Sequence, residues 1–141
     1  MRPLEIAQSQ VGTEEHPKGS NKGEQVEQYL NAVGLPGGYS WCMAFVQWCF
    51  KQTTTPFPFV SAGVLSVYAH TTSHHVTDPQ PGDVFIMEFG HGTGHTGFVE
   101  SVEDEFIHTI EGNTNNDGSR EGYKVAKRTR RKKSILGYIR I

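Results

Sequence analysis

Tyr39-Ser40-Trp41-Cys42-Met43-Ala44-Phe45-Val46-Gln47-Trp48-Cys49-Phe50-Lys51 is the stretch on which the reading of this chain turns. Wound as a helix it is apolar nearly all round, with Gln47 as its one polar break, so it belongs at the centre of a core rather than on a surface. Ser40 is the expected N-cap of a helix running from about Trp41 to Lys51. Thr53-Thr54-Thr55-Pro56 ends it. A helix buried on all sides needs other elements packed around it, and the flanking sequence supplies two kinds.

Upstream the pattern is helical. Leu4, Ile6, Ala7 and Val11 predict a short helix ending at Gly12. After the polar loop Thr13–Gly23, the residues Val26, Tyr29, Leu30 and Val33 repeat with a period near 3.6 and stop at Gly34-Leu35-Pro36-Gly37-Gly38. Downstream, Pro56–His75 yields only one short helix around Ala62–Ala69. From Pro79-Gln80-Pro81-Gly82-Asp83 onward the pattern changes to strands over Asp83–Phe89, Thr96–Val102, Phe106–Glu111, roughly Lys124–Thr129, and Ile135–Ile141. Glu103-Asp104-Glu105 forms a tight turn between the second and third. Helices first and strands second predict an α+β fold, with the central helix packed on an antiparallel sheet.

The 141 residues suit a single domain, 1–141. A composition of 35% hydrophobic and 20% charged residues supports one core and argues against disorder. No apolar run approaches the roughly 20 residues of a membrane span, and the N-terminus Met1-Arg2-Pro3-Leu4-Glu5 is not expected to be a signal peptide. A net charge of -2 gives no global attraction to nucleic acid. Cys42 and Cys49, seven residues apart on one helix, would hold their Cα atoms about 10 Å apart. A disulfide needs about 7 Å or less, so both are expected to be free thiols.

The two thiols have different settings. Cys42 falls in the first turn of its helix, where free N–H groups and the positive end of the dipole favour the nucleophilic thiolate. A small buried cysteine is equally consistent with that position, and position alone leaves both readings open. Cys49, between Trp48 and Phe50, reads as core. A nucleophilic thiol needs a base, and Gly90-His91-Gly92-Thr93-Gly94-His95-Thr96-Gly97-Phe98-Val99 offers His95 where a glycine-rich loop enters a strand. If Thr96–Val102 and Phe106–Glu111 pair as a hairpin, Glu111 lands beside His95 at one end of the sheet, as the third group that orients the imidazole. Asn113, two residues on, faces the same side in extended chain.

Trp41-Cys42-x-Ala44-Phe45-Val46, Pro81-Gly82-Asp83-Val84, Gly94-His95-Thr96-Gly97-Phe98-Val99 and Glu111-Gly112-Asn113 together resemble a CHAP domain, a cysteine, histidine-dependent amidohydrolase/peptidase with a papain-like fold akin to NlpC/P60. The resemblance covers about Glu5 to Ile141, with the four motifs in the family's order. Pro17-Lys18-Gly19-Ser20-Asn21 also resembles an N-terminal signature of small stand-alone, phage-type members. The resemblance implies cleavage of peptidoglycan peptide or amide bonds. It assigns Cys42 as nucleophile, His95 as general base and Glu111 as the group orienting His95. Asn113 matches a polar position beside the catalytic centre. Tyr39, Trp41, His91 and Asn21 are the expected substrate contacts, with His91 on the rim and Tyr39 and Trp41 lining the cleft beside the nucleophile.

No cofactor and no metal are expected. Some phage members of that family bind calcium through an aspartate-rich N-terminal loop, but here the region has Glu14, Glu15 and Glu24 without an Asp-x-Asp cluster. Asn113-x-Asn115-x-Asp117-Gly118 starts like an EF-hand loop, yet its twelfth position is Lys124 rather than a bidentate Glu. His91-x3-His95 has zinc-ligand spacing, but the surrounding glycines argue against a helix that would align the two rings. The run Lys124, Lys127, Arg128, Arg130, Arg131, Lys132 and Lys133 reads as a solvated strand edge; attraction to an anionic wall polymer is the functional alternative, and nucleic acid is a third option that no interleaved aromatics accompany.

The expected partner is peptidoglycan, met by a monomer that is made in the cytoplasm and reaches the wall through another system. The rival readings are a papain-fold domain acting on a protein substrate, and a wall-binding module without turnover.

Overall fold

A computed structural model describes residues 1–115 and 122–141. Four α-helices precede a six-stranded antiparallel sheet: α1 Pro3–Ser9, α2 Glu24–Asn31, α3 Cys42–Lys51, α4 Val64–Ala69, then β1 His75–Val76, β2 Val84–Gly90, β3 Thr93–Glu103, β4 Phe106–Thr114, β5 Lys124–Arg131 and β6 Gly137–Ile139. The strand order is β1-β6-β2-β3-β4-β5. The α+β class and the helix-on-sheet arrangement read from the sequence are therefore present.

The ends of the elements show where tertiary contacts outweigh local pattern. α1 begins with Pro3, whose ring presets the backbone angle of a first helical residue. It stops at Ser9, short of the expected Gly12, because the chain there turns to pair with β5. The Gly12 N–H donates to the Val125 carbonyl at 2.9 Å, and the Val125 N–H donates to Thr13 at 2.8 Å. α3 starts at Cys42 with Trp41 as N-cap, and the first helical bond runs from the Phe45 N–H to the Trp41 carbonyl at 2.9 Å. Ser40 is thus one residue outside the helix and exposed, and it is not the cap. β1, which the sequence pattern does not reveal, is only two residues long, too short to show an alternation.

α3 is the centre of the core, with Cys42 to Gln47, Cys49 and Phe50 buried. Gln47 is the polar break, and its amide is satisfied by donating to the carbonyls of Phe59 (2.9 Å) and Ser61 (3.0 Å). This pins the irregular segment between α3 and α4. One sheet face brings Val84, Ile86, Phe98, Ile110, Val125 and Ile139 onto the helices. Phe98 meets Phe45 edge-on and stacks on Phe50. The alternate residues Phe85, Met87, Val99, Ile107 and Tyr138 form a second, smaller cluster on the opposite face. Cys42 and Cys49 are both free thiols, as their spacing required. Among the described residues no helix is long and apolar enough to cross a membrane.

Candidate active site

His95 and Glu111 are brought together by strand register. β3 and β4 pair with Phe98 opposite Ile110 and Val99 opposite Thr109, so Gly97 comes beside Glu111, with His95 two residues further along the same face. A Cβ at residue 97 would stand 2.8 Å from Glu111 Cγ and 2.7 Å from the Ile110 carbonyl oxygen. The absence of a side chain at Gly97 is what lets the carboxylate reach across to the imidazole. His95 Nε2 lies 2.8 Å from Glu111 Oε1.

The Glu111 carboxylate is fully buried and heavily bonded. Arg130 grips it with both arms of its guanidinium, Nε to Oε2 at 2.9 Å and Nη2 to Oε1 at 2.6 Å. Thr109 donates its hydroxyl to Oε2 at 2.6 Å, and Thr114 donates to Oε1 at 3.1 Å. Burial alone would favour the neutral acid. The hydrogen bonds and positive charge of Arg130 and His95 outweigh it and hold the group well below the usual carboxylate range. His95 shows the converse balance. Burial pulls it down, but the neighbouring Cys42 thiol and the Glu111 carboxylate more than offset that and raise it to about 9. With Nε2 engaged by Glu111, Nδ1 is the ring nitrogen left for the thiol.

Cys42 stands at the first position of α3 and is 6% exposed, against 0% for Cys49. The first-turn N–H groups of the helix have no intrahelical acceptors. The Cys42 thiol neighbours the His95 ring, so thiol, imidazole and carboxylate lie at the junction of α3 with β3 and β4. The helix approaches β4 closely at Gly112, where a Cβ would be 2.7 Å from Phe45 Cβ and Cγ.

Asn113 departs from expectation. It has φ 54°, the left-handed region that Asn tolerates better than most residues, and sits where the β4–β5 register shifts between Glu111 and Thr114. The chain is not extended there, so Glu111 and Asn113 are not related by simple strand alternation. Asn113 nevertheless lines a cavity of about 500 Å³ whose wall also includes His95.

The expected substrate contacts separate. Trp41 is corrected: it is fully buried, stacks on Tyr29 with ring centroids 5.6 Å apart, and donates its indole N–H to Glu15 Oε2 at 2.7 Å. It belongs to the core and cannot line a cleft. Tyr39 is half exposed. Asn21 is partly buried, and its backbone carbonyl accepts the Gly38 N–H at 2.8 Å, tying the loop before α2 to the approach to α3. His91 and Gly92 both have positive φ, 55° and 75°, as in a two-residue hairpin turn of type I′. His91 is exposed at the tip of that turn, outside β3 and four residues before His95, while His95 is bonded to Glu111. Among the described residues no three His, Cys, Asp or Glu side chains converge as a metal set. The EF-hand-like stretch runs through Asp117 and Gly118, which lie outside the described residues.

Four residues of the site went unread in the sequence. Arg128 and Arg130, taken there as part of a solvated edge, sit opposite Thr109 and Ile107 on the face that carries Glu111. Alternation along β5 is the signal that separates them from the exposed Lys127, Thr129 and Arg131. Thr109 is fixed by the same register, two residues before Glu111. Phe89, 60% exposed, lines the cavity beside His95.

The family model for the CHAP domain matches residues 34–113, more than half of the chain. Among solved structures, the wild type endolysin LysIME-EF1 is similar with a TM-score of 0.63 and 20% sequence identity, over 98% of this chain and 62% of that one. Ly7917 is similar with a TM-score of 0.54 and 14% identity, over 98% of this chain and 60% of that one. The chain thus spans about three fifths of the length of these two structures, and the likeness is one of fold. No curated protein matches it in sequence.

Proposed function

The chain belongs to the CHAP domain family, and on that premise we propose that residues 1–141 form one catalytic domain, a cysteine hydrolase that cleaves amide or peptide bonds of peptidoglycan. The observation that carries this reading is the buried His95–Glu111 pair, 2.8 Å apart, set against the thiol at the start of α3. The endolysin named among the similar structures favours a cell-wall substrate over a protein one.

Cys42 Sγ, as thiolate, attacks the amide carbonyl carbon, and the carbonyl oxygen takes up the negative charge. The Cys42 backbone N–H, at the positive end of α3, is one donor to that oxygen. Asn113 supplies a further polar contact from the cavity wall. As the C–N bond breaks, protonated His95 gives its Nδ1 proton to the departing amine, leaving a thioester on Cys42. Water then attacks the thioester while His95 takes its proton, and the carboxylic acid leaves as the thiol is restored. Glu111 stays ionised throughout and holds the ring through Nε2. Tyr39, exposed two residues before the helix cap, contacts substrate, with Asn21 behind it and His91 on the rim. No cofactor is required.

Digestion of purified walls by the wild type and by Cys42→Ala, read by mass spectrometry, tests the reading. New fragments from the wild type alone support it, and their masses identify the bond. Equal fragments from both remove Cys42 as nucleophile. No fragments from either, across several wall types, turn the reading towards a protein substrate or a binding module.

A further inference from the structure

β5 delivers two guanidiniums to the same cavity, and among the described residues only one of them meets a carboxylate. Arg130 is matched by Glu111. Arg128 donates Nη1 to the Asn115 carbonyl at 2.6 Å and to Thr114 Oγ1 at 3.2 Å, both neutral acceptors. Among the described residues no carboxylate lies within salt-bridge distance of Arg128, and its Nε and Nη2 make no hydrogen bond. A half-buried guanidinium without a counter-charge is costly unless a ligand supplies one. The cavity also has His95 in its wall, which sets Arg128 and the candidate acid–base imidazole around one space. Phe89 gives it one exposed apolar wall.

We propose that this cavity is a carboxylate subsite, in which Arg128 receives a carboxylate of the peptide being cleaved and Phe89 packs on the adjoining apolar atoms. This rests on the peptidoglycan reading above. The planar fork of Arg suits a carboxylate better than a diffuse polyanion does, because two parallel N–H bonds fix its orientation. Thr114 Oγ1 touches both Arg128 and Glu111 Oε1, so occupancy of the subsite is relayed to the group that holds His95.

The test uses disaccharide-peptide fragments of the wall in matched forms, with their carboxylates free or converted to carboxamides. The wild type is expected to show a KM about 10- to 100-fold lower for the free form, the range for a charge-assisted hydrogen bond. Arg128→Gln treats both forms like the amidated one, and Arg128→Lys recovers part of the difference. Fragments amidated only at the chain end, or only on side chains, tell which carboxylate is bound. If Arg128 is only structural, Arg128→Gln slows both forms alike and preserves their ratio, and that result overturns the proposal. So does a wild type that cuts both forms equally.

Titration of Cys42→Ala protein with the same fragments, followed by the amide resonances of Thr93 and Thr114, separates this inference from the reading beneath it. Carboxylate-dependent shifts without wild-type cleavage sustain the subsite and remove the hydrolase. Cleavage with no dependence on the carboxylate does the reverse. Neither cleavage nor shifts removes both.

Discussion

His95 Nε2 and Glu111 Oε1 are 2.8 Å apart on adjacent strands, and the same carboxylate is clamped by Arg130 from the next strand. Three strands therefore fix one imidazole, leaving its Nδ1 for the thiol of α3. The sheet's register positions the ring.

Removing the Glu111 charge should cost both stability and turnover. Glu111→Gln leaves the Arg130 guanidinium largely buried without its counter-ion, a loss of about 3–5 kcal/mol for a broken buried pair. It also frees His95 to rotate. We expect kcat to fall by about 100-fold or more, with the loss persisting at temperatures where denaturation curves show the variant folded. Retention of wild-type kcat by folded Glu111→Gln would remove Glu111 from the mechanism.

The pH dependence of stability has a definite sign on each side. His95 is raised from 6.5 to about 9 on folding, so its contribution is complete below about 6.5 and lost as pH rises towards 9. Glu111 is depressed below 4.5, so its contribution is present above that value and lost as pH falls. Urea denaturation across pH should show a maximum between about 4.5 and 6.5, with Glu111→Gln flattening the acid limb. Turnover should be bell-shaped in pH, with limbs belonging to the coupled Cys–His pair.

Gly97→Ala is a steric test of the diagonal pairing. The new Cβ would crowd Glu111 Cγ, the Ile110 carbonyl and the Phe85 ring, costing about 1–3 kcal/mol by overpacking. If the carboxylate is displaced from His95, kcat should drop roughly tenfold or more in a folded protein. An unchanged kcat means the strand spreads without moving Glu111.

Trp41→Phe should destabilise by about 1–3 kcal/mol, because it leaves the buried Glu15 Oε2 without the indole N–H that satisfies it. Trp41 immediately precedes Cys42 at the start of α3, so activity should fall with stability. Thermal unfolding of Trp41→Phe and Glu15→Leu should locate both losses in the same interaction, with the double variant less than additive.

Alkylation should distinguish the cysteines. Cys49 is fully buried, and burial pushes its thiol up, whereas Cys42 is slightly exposed at a helix start. Iodoacetamide on native protein should label Cys42 first, as read by peptide mapping. Faster labelling of Cys49 would contradict the placement of α3.

Much of this was legible in the sequence because local pattern and tertiary demand agreed. The apolar run Trp41–Phe50 reads as a central helix, and the Glu103–Glu105 turn decides which strands pair, which puts Glu111 beside His95. Ser40 misled because good capping chemistry does not decide a boundary when the next residue is anchored elsewhere, here Trp41 on Glu15. Trp41 itself read as a cleft residue because an aromatic beside a nucleophile looks the same whether it faces substrate or core. Arg128 and Arg130 were hidden in a run of like charges, since their inward orientation depends on β5 register that no local motif carries. Asn113 was misplaced because a left-handed residue at a register shift breaks the alternation on which strand reasoning depends.

The central claim is that Cys42 forms the covalent intermediate. Rapid acid quench of wild-type protein during turnover of wall fragments, followed by peptide mapping, measures this directly. The account requires a peptidyl adduct on Cys42 and none on Cys49, absent from His95→Ala. Turnover with both thiols unmodified, together with cleavage by Cys42→Ala, would contradict it.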